Sequence, residues 1–307
     1  MSIQILISLL LQAALMVLLG YVLYLRRIIT ADFKKQLSSL LMDVILPISI
    51  LASVNMPCSS QLLYGMGVTF VVSCLYYLIA LVFVRRLSAL LKLELPVQKL
   101  VTVISVFANT GFLGFPLANS LLGSEGMLYA VIYNISFNIF MFTYGKFLIS
   151  GRTEVNVGKN LKDPSNVACL LSIVIFISPV RFPEVLQGTM DTLGSMMVPV
   201  SMLVIGCNLA QTSLKKVFCT PVAYLSSALR LVALPLLMLL ALYFLQVPDT
   251  LALTIAMLTA LPGGALNVIF AEQYDCRADL AALMVVHSMV FVIVTLPVYM
   301  ILCSHLL

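Results

Sequence analysis

Phe107-Ala108-Asn109-Thr110-Gly111-Phe112-Leu113-Gly114-Phe115-Pro116 and Leu261-Pro262-Gly263-Gly264-Ala265-Leu266-Asn267 decide how this chain is read. Each segment lies in the middle of a hydrophobic stretch long enough to cross a bilayer, and each places glycine, proline and asparagine where a spanning helix has no use for them. Glycine and proline weaken the helical hydrogen-bond ladder. Unpaired backbone in hydrocarbon costs several kcal/mol per group, so a broken helix persists at membrane depth only when it is buried in protein or lines a wet cavity. Interrupted spans at corresponding places in two halves of a chain point to the substrate site of a carrier.

Composition sets the class outward from those breaks. Of the 307 residues, 62% are hydrophobic and 9% charged, whereas a soluble globular chain is about a quarter charged. At roughly 20 apolar residues per span, about ten spans fit, leaving little for an extramembrane domain. The expected helices are 3–25, 36–56, 62–84, 98–121, 126–149, 166–180, 186–209, 217–245, 250–272 and 279–304. The first run ends in Arg26-Arg27 rather than a small-residue cleavage site, which marks a span and not a signal peptide. The seven cysteines are scattered without a CxxC pair, which argues for packing residues over zinc ligands or a disulfide framework.

Charge patterning gives an orientation. On the ten-span reading, every Lys and Arg except Arg181 and Arg230 falls in alternate loops. Short loops rich in Lys and Arg stay cytoplasmic, so both termini are expected outside. The net charge of +5 is spread in short clusters without aromatic interleaving, which gives no sign of nucleic-acid binding.

The two halves also read as copies. Sliding the chain along itself so that Asn109 falls on Pro262 lays Gly111 on Gly264, Gly114 on Asn267 and Asn134 on His287. Five spans would end on the opposite side from where they began, so the second copy would be inverted. The expected organisation is a first five-helix repeat over 1–149, a short cytoplasmic linker over 150–165 and an inverted repeat over 166–307. Inverted repeats of this kind support alternating access.

With these motifs in hand, the chain resembles the auxin efflux carrier family. The similarity rests on the ten-span layout, the Asn109-to-Pro116 run and the Leu261-Pro262-Gly263-Gly264-Ala265 segment, and it covers essentially the whole length. The long cytoplasmic loop of the larger plant members is absent, and the size is similar to that of bacterial members associated with malonate, malate and other organic acids. The resemblance implies an all-α polytopic fold like that of bile-acid symporters, with broken fourth and ninth helices crossing. It also implies a mobile transport domain on a homodimeric scaffold and an elevator-like motion. Carried onto this chain, the crossing is Asn109–Pro116 and Pro262–Asn267.

Local physics suggests the sign of the cargo. Beyond each break a new half-helix starts near the midplane. Its free N–H groups and roughly half a positive charge favour carboxylates or phosphates. The candidate substrate residues are Asn109, Thr110, Gly111, Pro116, Asn134, Asn138, Arg230, Pro262, Gly263, Gly264, Asn267 and His287. Each break also ends a half-helix whose carbonyls can hold a cation or donor groups of the substrate.

Arg230 stands well inside a span and admits three readings. It can be a counter-charge for an anionic substrate. It can be a structural partner of an acid or of freed carbonyls, since Pro235 releases that of Leu231. It can also snorkel to the cytoplasmic side. Asp43, Asp191 and His287 are the candidates for carrying a coupling proton. The competing readings are capping or pairing with a lysine for the two carboxylates, and plain packing for the histidine.

No HExxH motif, aspartyl-protease setting or GxxxxGK[ST] motif occurs, so an enzyme is not expected and no cofactor is implied. The expectation is a secondary carrier for small organic anions in the cytoplasmic membrane, coupled if at all to protons or sodium. Two alternatives stay open: a membrane sensor on a carrier scaffold, and a sodium-coupled symporter.

Overall fold

A computed structural model describes residues 3–151, 164–179 and 181–307. The expected linker over 150–165 lies mostly outside these. The described chain is helical, running α1 (Ile3–Leu25), α2 (Ala31–Ser53), α3 (Ser60–Leu90), α4 (Leu95–Val106), α5 (Thr110–Ser150) and α6 (Pro164–Ile177). It continues with α7 (Glu184–Ala210), α8 (Pro221–Leu245), α9 (Asp249–Thr259), α10 (Ala265–Gln273) and α11 (Ala278–Leu306).

The ten-span expectation is not met. Among the described residues, six helices are long and apolar enough to cross a membrane: α2, α3, α5, α7, α8 and α11. The difference lies where the sequence breaks its own helices. The run expected over 250–272 is divided into α9 and α10 by the Pro262-Gly263-Gly264 segment. In the first half, α4 stops at Val106, and Thr110–Ser150 then continues as one apolar helix through a kink at Gly123, whose φ is +64°. Only glycine adopts that backbone without strain. α6 ends at Ile177, short of Pro179.

Prolines shape the long helices from within. π-helical turns at Leu41–Ile45, Thr110–Gly114 and Leu229–Ala233 lie just before Pro47, Pro116 and Pro235. Proline brings no N–H and its ring crowds the carbonyl four residues back, so the preceding turn widens instead of breaking. Conventional caps start α2 and α3, where the hydroxyls of Thr30 and Ser59 accept from the N–H groups of Phe33 and Leu62.

Burial separates the two environments a membrane protein needs. Large apolar side chains cover outward faces of α3 (Phe70, Val71, Leu75, Leu78, Ile79) and α8 (Leu236, Leu237, Leu240, Phe244). Such faces suit hydrocarbon and would be costly in water. The chain is an integral membrane protein with multiple membrane-spanning helices. Inside, α1 packs on α7 at backbone distance, because a β-carbon on Gly206 would collide with the carbonyl of Val17. Close approach through small residues is how helices associate where water supplies no driving force. Around the first break, Tyr77 stacks on Phe107 with centroids 5.6 Å apart, and Tyr133 and Phe137 complete the cluster.

Candidate functional site

The two broken segments meet. Asn109 N–H donates to the Pro262 carbonyl at 2.8 Å and Gly264 N–H to the Phe107 carbonyl at 3.1 Å, forming a minimal antiparallel bridge between Ala108 and Gly263. The Asn267 amide nitrogen also donates to the Phe107 carbonyl, at 3.0 Å, and Gly263 N–H donates to the Ser288 hydroxyl, also at 3.0 Å. Buried backbone groups must find partners. Here the groups that each break takes from its own helix are satisfied by the other break and by α11.

The carbonyl ends of the half-helices are gathered by one side chain. Arg230, fully buried, donates from Nε to the Leu261 carbonyl at 2.7 Å. Its Nη1 donates to the carbonyls of Val106 at 2.7 Å and Ser105 at 3.2 Å and to the Tyr76 hydroxyl at 3.2 Å. Its Nη2 donates to those of Thr259 at 2.6 Å and Leu258 at 3.3 Å. A guanidinium has five N–H donors, and these acceptors engage all three nitrogens. The C-terminal ends of α4 and α9 carry the negative poles of their helix dipoles, so the cation is balanced by dipoles and no carboxylate is among its acceptors. Of the three readings, snorkelling is excluded by burial. The counter-charge reading finds no donor left for cargo. Bonding to freed carbonyls stands, although those carbonyls belong to α4, α9 and the second break rather than to Leu231.

The opposite, N-terminal ends open on a cavity of about 350 Å³. It lies between α2, the first break, α5, α6 and the start of α10. Of the expected residues, Asp43, Asn109, Thr110, Gly111, Asn134, Asn138 and Gly264 line it. Asn109 caps α5, its Oδ1 accepting from Phe112 N–H at 3.2 Å. That fixes the amide orientation and leaves Nδ2 buried without a partner among the described residues. The Thr110 hydroxyl donates to Asn134 Oδ1 at 2.9 Å, and Asn138 Nδ2 donates to Asn166 Oδ1 at 2.6 Å. The first N–H groups of a helix have no intrahelical acceptor, and Thr110, Gly111, Ala265 and Leu266, from the first turns of α5 and α10, line the same cavity.

Six expected residues lie off the cavity besides Arg230. Pro116, Pro262 and Gly263 shape the crossing without lining it. Asn267 is spent on the Phe107 carbonyl, and its Oδ1 is buried without a partner. His287, on α11, does not line the cavity; its Nδ1 is 2.7 Å from the Ser227 hydroxyl and its ring is stacked on Phe291 at 4.6 Å. Its Nε2 is buried and unpartnered among the described residues. Of the carboxylates, Asp191 is exposed on α7, accepts from Gln187 at 2.9 Å and does not line the cavity. Asp43 lines the cavity and is exposed as well.

Sequence reasoning missed Lys35, Ser38 and Asn166, which also line the cavity. Lys35 was counted only as a loop charge. Ser38 stands three residues from it, on the next turn of α2. Asn166 followed directly on the expected linker. The one available signal was the polar stretch Lys34-Lys35-Gln36-Leu37-Ser38-Ser39 at the head of an otherwise apolar helix.

Two broken helical segments that cross beside a cavity, in a chain of long apolar helices, are features of the transporter class. The chain belongs to the membrane transport protein family, whose model matches residues 5–157 and again 153–300. It is similar, at 25% identity over 296 residues, to an uncharacterized transporter of Methanothermobacter thermautotrophicus, covering 94% of this chain and 95% of that one. It is also similar, at 26% identity over 214 residues, to an uncharacterized transporter of Methanocaldococcus jannaschii, covering 66% and 68% of the two chains. As a transporter-family member it is not an enzyme, and among the described residues no group of three or more His, Cys, Asp or Glu side chains is placed to hold a metal.

Proposed function

We propose that the protein is a secondary carrier for small organic anions, of the auxin efflux carrier type, which binds cargo in the cavity beside the crossing. The observation that carries this reading is Asn109. Its amide nitrogen is buried and without a partner among the described residues, and the residue itself lines the cavity at the start of α5, together with Thr110 and Gly111 of that helix's first turn. Such a site offers donors and partial positive charge and suits a carboxylate. Thr110, Asn134 and Asn138 add polar positions, and Lys35 supplies a cation at the wall.

Movement follows an elevator in this reading. The crossing and the helices bonded to it travel as a body against α1, α2, α6 and α7, which serve as scaffold and homodimer platform. A division of the chain into two related halves, 1–149 and 166–307 about a linker at 150–165, belongs to the same proposal. The host membrane is the cytoplasmic one, with both termini outside. A potential negative inside favours anion exit by about 2.3 kcal/mol per charge per 100 mV, so export needs no coupling ion whereas import needs one.

The test is flux. Purified protein in proteoliposomes should move mono- or dicarboxylates selected by a thermal-shift screen, where ligand at 100 times its Kd adds about 2.7 kcal/mol. Saturable binding without flux would mark a sensor instead, and neither binding nor flux across the organic acids would end the anion reading.

A further inference from the structure

We infer that Arg230 is the crossing's own cation, fixed to the chain at the place where a sodium-coupled carrier would hold an exchangeable ion, and that it is a positioning residue for the cargo site. This rests on the carrier reading above. Carriers built on discontinuous helices hold a coupling ion on carbonyls exposed at unwound half-helix ends. That donor set is present here, in the carbonyls of Ser105, Val106, Leu258, Thr259 and Leu261, and the Arg230 guanidinium fills it.

Three features argue for a resident cation rather than an incidental hydrogen-bond donor. The acceptors come from both breaks, so one planar group ties two half-helices that are far apart in sequence. The charge is completely buried and is met by two helix C-termini instead of a carboxylate, which is the electrostatic environment of a bound cation. The side chain is also excluded from the cargo cavity, so it acts on cargo only through the backbone it holds. By pinning the C-terminal ends of α4 and α9 it sets how the chain leaves each break, and hence how the first amides of α5 and α10 face the cavity. A cation that cannot leave cannot be exchanged during transport, so no sodium ion is bound at the crossing.

Thermal unfolding of the purified protein in detergent tests this without cargo. The wild-type Tm should be the same in sodium chloride and in choline chloride at equal ionic strength. Arg230→Ala should unfold at lower temperature and regain stability saturably with millimolar methylguanidinium, which should leave wild type unmoved. Arg230→Lys offers three donors to five carbonyls. It should fold with an intermediate Tm and a cargo affinity weaker than wild type, and this variant carries the test if Arg230→Ala does not accumulate. A saturable, sodium-specific stabilisation of wild type would overturn the inference. So would a wild-type Tm and wild-type cargo affinity in Arg230→Lys, or an Arg230→Ala protein indifferent to methylguanidinium. Sodium and methylguanidinium responses are read without any organic anion, so failure of the anion reading shows separately, as absence of flux in wild type.

Discussion

Gly264 passes so close to Ala108 that a β-carbon on it would stand 2.8 Å from the Ala108 carbonyl oxygen and 3.2 Å from its carbonyl carbon. Both neighbours are backbone, and that backbone is already tied by the bridge through Phe107, Asn109 and Pro262. Nothing flexible stands there to yield.

Gly264→Ala should therefore open the crossing. Overpacking of a filled site costs about 1–3 kcal/mol, and here the strain falls on the bridge itself. The expected outcome is a lower Tm together with loss of flux in proteoliposomes. A variant with wild-type Tm and flux would show that the two breaks need not touch.

Asn109 separates binding from folding. Asn109→Leu loses the cap on α5, which costs about 0.5–2 kcal/mol, and also the unpaired amide donor. Asn109→Asp keeps a capping oxygen, removes the donor and adds a negative charge. Both should lose organic-anion binding in a thermal-shift titration, with the fall in Tm largely confined to Asn109→Leu. Retained anion affinity in Asn109→Asp would move the cargo site elsewhere.

Cys276, in the turn between α10 and α11, is buried, and burial pushes its thiol up from the ordinary value despite the opposing influence of Lys99. A raised pKa means less thiolate at neutral pH, and the thiolate is the reacting form. Timed alkylation with N-ethylmaleimide, followed by mass spectrometry, should label exposed Cys58 and Cys219 well before Cys276. Equal rates would contradict the burial.

Orientation can be read on α3 alone, which runs from Ser60 to Leu90 with Arg85 and Arg86 near its end. The proposed orientation, read from the distribution of basic residues, puts its end at the cytoplasmic face. In a cysteine-free background, Gln61→Cys should react with an impermeant thiol reagent in intact cells, and Lys92→Cys only after permeabilisation. The reverse pattern would invert the orientation and reverse the direction in which the cavity opens.

Much of the site was legible because its causes are local. Glycine and proline break a helix wherever they stand, so Asn109–Pro116 and Pro262–Asn267 announced themselves as interruptions. Asn134 and Asn138 lie one turn apart on an apolar helix and both reach the cavity. His287 followed the same logic and does not line the cavity, because a polar residue in mid-span shows that a partner exists without saying which. Its partner is Ser227 on α8, and neither residue lines the cavity.

The sequence by itself determined the membrane class, the absence of an enzyme motif and the positions of the two breaks, since composition and helix breaking act within a few residues. Tertiary structure alone decided that the breaks bond to each other, across 160 residues in the case of Asn267 and Phe107. It alone placed Arg230 on carbonyls instead of on cargo, and brought Lys35, Ser38 and Asn166 into the cavity wall. It also reduced the expected ten spans to six long apolar helices among the described residues. An apolar run that contains a break counts as a span by hydropathy, but whether its pieces stack, cross or merge depends on which distant backbone groups satisfy the hydrogen bonds the break leaves open.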